Sequence, residues 1–321
     1  MGAPRSEFMN AIRIHRYGGP EVLQYENAPR PQVQKGEVLI HVHAAGVNPL
    51  DWKVRSGSLN GFIQHKLPLI PGWDVSGVVE EVRFGVSQFK KGDEVFAMAD
   101  PTRDGAYADY IVVRGAALAI KPKSLHHVRA AATPVSALAA WRSLFDLAQL
   151  QSGQRVLVHG GSGGVGHFAV QLAKWKGAYV IATASTKNQE LLCKLGADEV
   201  IDYTTQKFED VAQNIDIVLD TVGGETQERS WLALKKGGVL ISLVESPSGE
   251  KANQFEVRGM MCSVQPDGAQ LSKIAKLIDS AKLKPTIDRI LPLSEARRAH
   301  ELGQNGHIRG KIVLRVKDIQ L

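Results

Sequence analysis

The chain has 321 residues, 39 Lys and Arg against 33 Asp and Glu, a net charge of +6, and 44% hydrophobic residues. At about 150 residues per domain the length predicts two domains. The composition excludes wholesale disorder and collagen-like repeats, and no apolar run approaches the ~18 residues of a membrane-spanning helix.

Two cysteines, Cys193 and Cys262, exclude a disulfide framework and a four-cysteine zinc site. With no visible secretory signal, they point to a reducing, cytoplasmic setting. The charge is uneven, with a net of +2 over residues 1–128, −1 over 129–258 and +5 over 259–321. There is no dense Lys/Arg block, so an anionic small-molecule site is favoured over a nucleic-acid surface.

Residues 1–8 read as a non-native leader, and the strand-like alternation Ala11-Ile12-Arg13-Ile14-His15 follows Met9. Residues 38–44, 75–82, 92–97 and 105–113 read as short strands or turns entering strands, between Gly, Pro and Asp punctuation. They predict a compact, partly closed β-rich domain. Residues 130–150 are Ala/Leu-rich with helical spacing, interrupted by Pro134.

Strands and helices then alternate: strand 155–159, helix 166–176, strand 179–183, helix 189–195, and strands 199–202, 215–219 and 238–243. This alternation predicts parallel strands with crossover helices, an α/β doubly wound sheet. Beyond residue 259 an amphipathic helix is expected over 270–281, with Leu271, Ile274, Ala275, Leu277 and Ile278 on one face. Ser294 is expected to cap a helix over 294–302, and 311–316 to form a last strand. These pieces do not extend the alternation and are expected to return to the first domain.

The strongest motif is Gly161-Ser162-Gly163-Gly164-Val165-Gly166, a G-x-G-x-x-G run after a strand and opening a helix. Glycines there let the backbone approach a pyrophosphate, and the helix N-terminus holds its charge. The plainer alternative is a turn in an ordinary β-α unit. Roughly 20 residues on, an NAD enzyme places Asp or Glu on the ribose 2′-hydroxyl. This chain instead reads Ala182-Thr183-Ala184-Ser185-Thr186-Lys187. Ser185 and Lys187 could bind a 2′-phosphate, each charge-assisted bond contributing about 1.5–3 kcal/mol. That predicts NADPH, against the alternative of a solvated loop lysine.

Several segments together resemble the medium-chain dehydrogenase/reductase superfamily, in its zinc-independent quinone oxidoreductase and enone reductase branch. They are residues 46–53 (Gly-Val-Asn-Pro-Leu-Asp-Trp-Lys), 71–77 (Pro-Gly-Trp-Asp-Val-Ser-Gly), 92–95 (Gly-Asp-Glu-Val), the glycine loop, 195–198 (Leu-Gly-Ala-Asp) and 307–314 (His-Ile-Arg-Gly-Lys-Ile-Val-Leu). The resemblance implies a discontinuous GroES-like catalytic domain over 9–128 and 259–321, with a Rossmann NADP(H)-binding domain over 129–258 inserted. It implies a homodimer or homotetramer.

Zinc-dependent relatives carry a cysteine near position 48 and a histidine near 73, where this chain has Asn48 and Trp73. Neither is a zinc ligand. His41 and His43 share a strand face without an evident third ligand, and His126-His127 reads as a loop pair. No metal is expected.

Without a Lewis acid, hydride transfer to a quinone or α,β-unsaturated carbonyl remains accessible, because charge delocalises onto oxygen. The resemblance makes Asn48 and Lys53 the catalytic candidates, with Asp51 orienting Lys53 or capping backbone. It places Thr133 near the carboxamide and Tyr203 near the 2′-phosphate. Val222, Leu243 and Val244 follow strand ends where a cofactor crosses the sheet edge. The plainer alternatives are a turn residue for Asn48, a surface charge for Lys53 and core packing for the three apolar positions. Cys193, in an apolar helical stretch, is expected to be buried. A competing function is an NADPH-regulated RNA binder of low activity, motivated by the basic C-terminal segment.

Overall fold

The computed structural model describes residues 7–306 and 308–317. The expectations for residues 1–6 and for His307 therefore lie outside the described residues. Phe8, assigned to the leader, instead begins the strand Phe8–Arg13, which pairs antiparallel with Gln24–Pro29.

The chain divides into two compact units. One comprises Met1–Val135, Gln265–Ser280 and Pro285–Leu321; the other comprises Ser136–Val264 and Ala281–Lys284. Both boundaries lie later than the expected 128 and 258, for physical reasons. Helix His127–Ala131 packs on the strands Glu37–Val47, Asp74–Val82, Glu94–Met98 and Lys311–Arg315, all of the first unit. Strand Arg258–Met261 completes the sheet of the second unit.

The first unit is β-rich. Its seven-stranded sheet runs Ile287–Pro292, Lys311–Arg315, Glu37–Val47, Asp74–Val82, Glu94–Met98 and Leu118–Ile120, with Tyr110–Arg114 also paired to Glu37–Val47. The pairings are antiparallel except that of the first two strands. The last strand of the chain lies against one of the earliest, with Ile312 opposite Val47 and Leu314 opposite Ala45. The core is filled by Trp73, Tyr107, Ile12, Ile14 and Ile40, each at most 2% exposed.

The second unit holds a six-stranded sheet, all parallel. Its order is Glu199–Asp202, Tyr179–Ala184, Arg155–Val158, Ile215–Asp220, Leu234–Ser242, Arg258–Met261. The chain builds outward in one direction from Arg155–Val158, then returns and builds the other way. Central strands read as apolar runs because both faces are covered; Val156, Leu157 and Val158 are fully buried.

Some local expectations are corrected. Pro134 does not merely interrupt a helix: it starts Pro134–Trp141, where its missing N–H costs nothing, and a wider helical turn, Arg142–Leu147, follows. Ser294 is not a cap, because a 3-10 turn over Leu293–Glu295 precedes the helix Ala296–Gln304. Asp267 caps the amphipathic helix Gly268–Asp279, its carboxylate accepting from the Gln270 N–H at 2.8 Å. Cys193 is exposed: on its short helix Leu191 and Leu192 take the buried face, and Cys193 turns outward. His126-His127 is no loop pair, since His127 opens a helix and is buried. No helix among the described residues is long and apolar enough to cross a membrane.

Candidate active site and cofactor edge

In the second unit the glycine loop leaves the strand Arg155–Val158 at the point where the strand order reverses. Ligands of open α/β sheets bind at such a point, outside the carboxyl ends of the strands. The loop is a tight turn, with the Gly163 N–H donating to the Gly160 carbonyl at 2.9 Å. It leads into the ten-residue helix Gly166–Trp175. The N–H groups of Ser162, Gly164 and Val165 make no hydrogen bond among the described residues. Free donors ahead of a helix N-terminus are what a pyrophosphate needs. At Gly166 a Cβ would stand 2.2 Å from the Gly160 oxygen, so only glycine fits.

Six of the other cofactor candidates collect at the same edge of this sheet, whereas Thr133 belongs to the first unit. Ser185 and Lys187 follow strand Tyr179–Ala184, and Tyr203 follows the adjacent Glu199–Asp202. The Tyr203 N–H donates to the Ala184 carbonyl at 3.3 Å, which brings the two strand ends together. Lys187 is exposed. Tyr203 is 52% exposed, Val222 51% and Val244 38%, whereas Leu243 is half-buried. Val222 and Val244 are therefore not core residues; they line an open edge. The turn carrying Val222 is held by Asp220, whose Oδ1 accepts from the N–H groups of Val222 at 2.9 Å and Gly223 at 2.8 Å.

Sequence reasoning missed Asp202 beside this edge. Hydrogen bonds from the Thr186 and Thr204 hydroxyls, each at 2.6 Å, hold its carboxyl below the usual range. Its charge is thus engaged by neutral donors.

In the first unit Asn48 sits one residue beyond strand Glu37–Val47 and leads into helix Pro49–Ser56. Strand register brings two further residues to it. Asp74 begins its strand opposite Gly46, and Lys311 begins its strand just before Ile312, which lies opposite Val47. Asn48 is 2% exposed, Asp74 0% and Lys311 3%. The Asn48 Nδ2 donates to Asp74 Oδ2 at 2.8 Å. The Lys311 ammonium donates to Asp74 Oδ2 at 3.1 Å, to the Val47 carbonyl at 2.9 Å, and to Asn48 Oδ1. Asp74 Oδ1 accepts from the Val135 N–H at 2.6 Å. Asp74 and Lys311 were not singled out as site residues. A lysine opening an otherwise apolar strand was the available signal.

Thr133 is fully buried, and its hydroxyl donates to the Arg129 carbonyl at 3.2 Å. Lys53 is half-buried on helix Pro49–Ser56, and its Nζ has no partner among the described residues. Asp51 caps backbone rather than orienting Lys53. Its Oδ2 accepts from the Asn48 N–H at 2.8 Å and the Tyr107 hydroxyl at 2.8 Å, while Oδ1 is buried without a partner among the described residues. Tyr107 also meets His300 at 3.3 Å, and His300 meets Arg55 at 3.0 Å.

Burial outweighs these bonds and raises the Asp51 carboxyl to about 7. A carboxyl raised in the fold contributes stability that is lost as pH rises through that value. The buried imidazoles of His43, His127 and His159, held near 4 by burial, act oppositely and lose their contribution as pH falls below the usual imidazole value. Asp51→Asn is therefore expected to remove a loss of stability between about pH 5 and about pH 8. Urea midpoints at the two pH values, in wild type and variant, measure it. Parallel profiles would rule out the shifted carboxyl.

The positions that carry zinc in relatives are otherwise engaged. Trp73 is buried in the core and its Nε1 donates to the Arg103 carbonyl at 3.0 Å. His43 and His127 approach with ring centroids 4.3 Å apart; His127 Nδ1 bonds to the Ser76 hydroxyl at 2.8 Å, and its Nε2 lies 3.0 Å from Glu94 Oε1. His41 stacks on Tyr110. Among the described residues no group of three or more His, Cys, Asp or Glu is arranged to hold a metal ion.

A dinucleotide-type sheet with a glycine loop at its reversal point, and a β-rich unit that includes the strand Lys311–Arg315, define a two-unit fold of the kind nicotinamide oxidoreductases use. Comparison with known proteins agrees. The family "Alcohol dehydrogenase GroES-like domain" matches residues 34–123 and "Zinc-binding dehydrogenase" matches 195–314. The chain is similar to mouse (Mus musculus) "NAD(P)H oxidoreductase RTN4IP1, mitochondrial", at 37% identity over 97% of this chain and 90% of that protein. It is similar to "NADPH-dependent alkenal/one oxidoreductase, chloroplastic" of Arabidopsis thaliana, at 35% identity over 95% of this chain and 79% of that one. Among solved structures, the quinone oxidoreductase from Coxiella burnetii superposes with a TM-score of 0.89 at 37% identity, covering 97% of this chain and 100% of that one. The chain belongs to the medium-chain dehydrogenase/reductase superfamily.

Proposed function

We propose that the protein is a metal-independent reductase that uses NADPH to reduce quinones or α,β-unsaturated carbonyls. The observation that carries this reading is at Asn48. The position of a zinc ligand in relatives holds an amide already bonded to an ammonium and a carboxylate. The names of the relatives, quinone and alkenal/one oxidoreductases, support the substrate class.

The residues at the sheet edge fit the cofactor. Ser162, Gly164 and Val165 offer free N–H groups to the pyrophosphate, while Gly163 and Gly166 keep the turn tight. Ser185, Lys187 and Tyr203 surround the place of a 2′-phosphate, and Val222, Leu243 and Val244 flank the path toward the nicotinamide. Bound NADPH supplies the hydride. Thr133 is assigned to the carboxamide. Asn48 and Lys53 are assigned to the nicotinamide ribose or the substrate oxygen, where donors stabilise developing charge.

Turnover of a panel of quinones and enones with NADPH and with NADH, with and without a chelator, tests the reading. Activity with NADPH that survives chelation is expected; loss that zinc alone restores would overturn it. Lys187→Ala is expected to raise KM for NADPH about tenfold with little change for NADH. An equal effect on both cofactors would remove Lys187 from the 2′-phosphate.

The location and assembly are part of the proposal. Two free cysteines, one exposed, support a reducing cytoplasm, although the relatives named above are mitochondrial and chloroplastic proteins. Cell fractionation decides it. The outer edge of strand Arg258–Met261 pairs with no strand among the described residues, and open strand edges favour pairing with another copy. A homodimer or homotetramer in sedimentation analysis is the expected result. No observation favours RNA: Arg289, Arg297, Arg298 and Lys311 of the basic segment are in ion pairs within the fold.

A further inference from the structure

We infer that Lys311 and Asp74 fix the orientation of the Asn48 amide, so that Asn48 can meet its ligand only as a hydrogen-bond donor. The inference rests on the reading that Asn48 touches the substrate or the nicotinamide ribose.

The argument is a count of donors and acceptors. An ammonium has three donors and no acceptor. Lys311 directs all three inward, to Val47 O, Asn48 Oδ1 and Asp74 Oδ2. It has none left for a ligand. Asp74 accepts from Lys311, Asn48 and the Val135 N–H. The Asn48 Oδ1 is thereby spent on Lys311 and one Nδ2 hydrogen on Asp74. Rotating the amide by half a turn would set its N–H groups against the ammonium and its oxygen against the carboxylate. Both contacts would be between like charges, in a region nearly sealed from water, where such contacts are costly. One orientation is therefore imposed, and the second Nδ2 hydrogen is what remains.

A single N–H with a fixed direction selects an acceptor. It suits the carbonyl oxygen of a quinone or enone, which gains negative charge during reduction, better than a hydroxyl hydrogen. Lys311 is accordingly a positioning residue. It comes from the far end of the chain and acts through Asn48. Lys53, on the helix that Asn48 opens, has its Nζ free among the described residues.

The test uses Asn48→Ala, Lys311→Met, Lys311→Arg, and Lys311→Met combined with Asp74→Asn. The last removes both charges and keeps the protein foldable if Lys311→Met alone is not. With 3-penten-2-one as substrate, loss of the lysine is expected to lower kcat about a hundredfold, with KM for NADPH within about twofold. Lys311→Arg should recover most of it. Adding the lysine change to Asn48→Ala should cost nothing more.

A second readout needs no turnover. In the protein without cofactor, the Asn48 side-chain amide signal, identified by its loss in Asn48→Ala, should exchange slowly with water. Its exchange should quicken when the two charges are removed. Unchanged exchange, or losses that multiply in the combined Asn48 and Lys311 variant, would overturn the inference. Full kcat in Asn48→Ala would instead overturn the role of Asn48 at the ligand, while the exchange result would still report on the fixed amide.

Discussion

Asp74→Ala is expected to destabilise the β-rich unit by about 3–5 kcal/mol, the cost of breaking a buried ion pair from one side. The change strands the Lys311 ammonium, which is 3% exposed. It also removes the acceptor of the Val135 N–H and of the Asn48 amide. A fall of roughly 10 °C in melting temperature should accompany it. Asp74→Ala combined with Lys311→Met should recover part of the loss, because an uncompensated charge costs more than an absent pair. Differential scanning calorimetry of the three variants measures this. An Asp74→Ala protein as stable as wild type would show that the pair is not sealed from water.

Gly166→Val is expected to raise the dissociation constant for NADPH by about a hundredfold or more. The added Cβ would stand 2.2 Å from the Gly160 oxygen and 2.8 Å from the Gly161 Cα. Both are backbone atoms in a turn closed by its own hydrogen bond, so the loop itself must shift. The displaced N–H groups of Ser162, Gly164 and Val165 would then lose charge-assisted bonds worth about 1.5–3 kcal/mol each. Fluorescence titration with NADPH reads the affinity, and a circular dichroism melt separates lost binding from lost fold. Unchanged affinity in a folded variant would remove the loop from the cofactor site.

The nucleotide unit was readable from the chain because its signals are local. A strand, glycines and a helix follow one another within a few turns of chain, and the absence of an acid after strand Tyr179–Ala184 is visible in six residues. The apolar residues at the strand ends were ambiguous. Exposure distinguishes Val222 and Val244 from core residues, and a sequence carries no exposure. The centre around Asn48 was half readable. Asn48 stood out through its motif, but its partners lie 26 and 263 residues away and meet it only through strand register. The expected boundary at 128 cuts through helix His127–Ala131, because its alanines fit either side and its packing partners decide. Cys193 was misjudged because two apolar neighbours do not fix which way a third residue on a helix turns.

The strand Lys311–Arg315 has a consequence for synthesis on the ribosome. Asn48 and Asp74 are made 263 and 237 residues before the lysine that joins them. The continuous stretch Ser136–Val264 can form most of its sheet while the rest is still emerging. The amide of Asn48 must wait for the strand Lys311–Arg315. A chain released before residue 311 would carry the nucleotide fold without the Lys311 contacts to Asn48 and Asp74. The nucleotide unit and the hydrogen-bonded centre around Asn48 are thus completed at different moments in the life of the polypeptide.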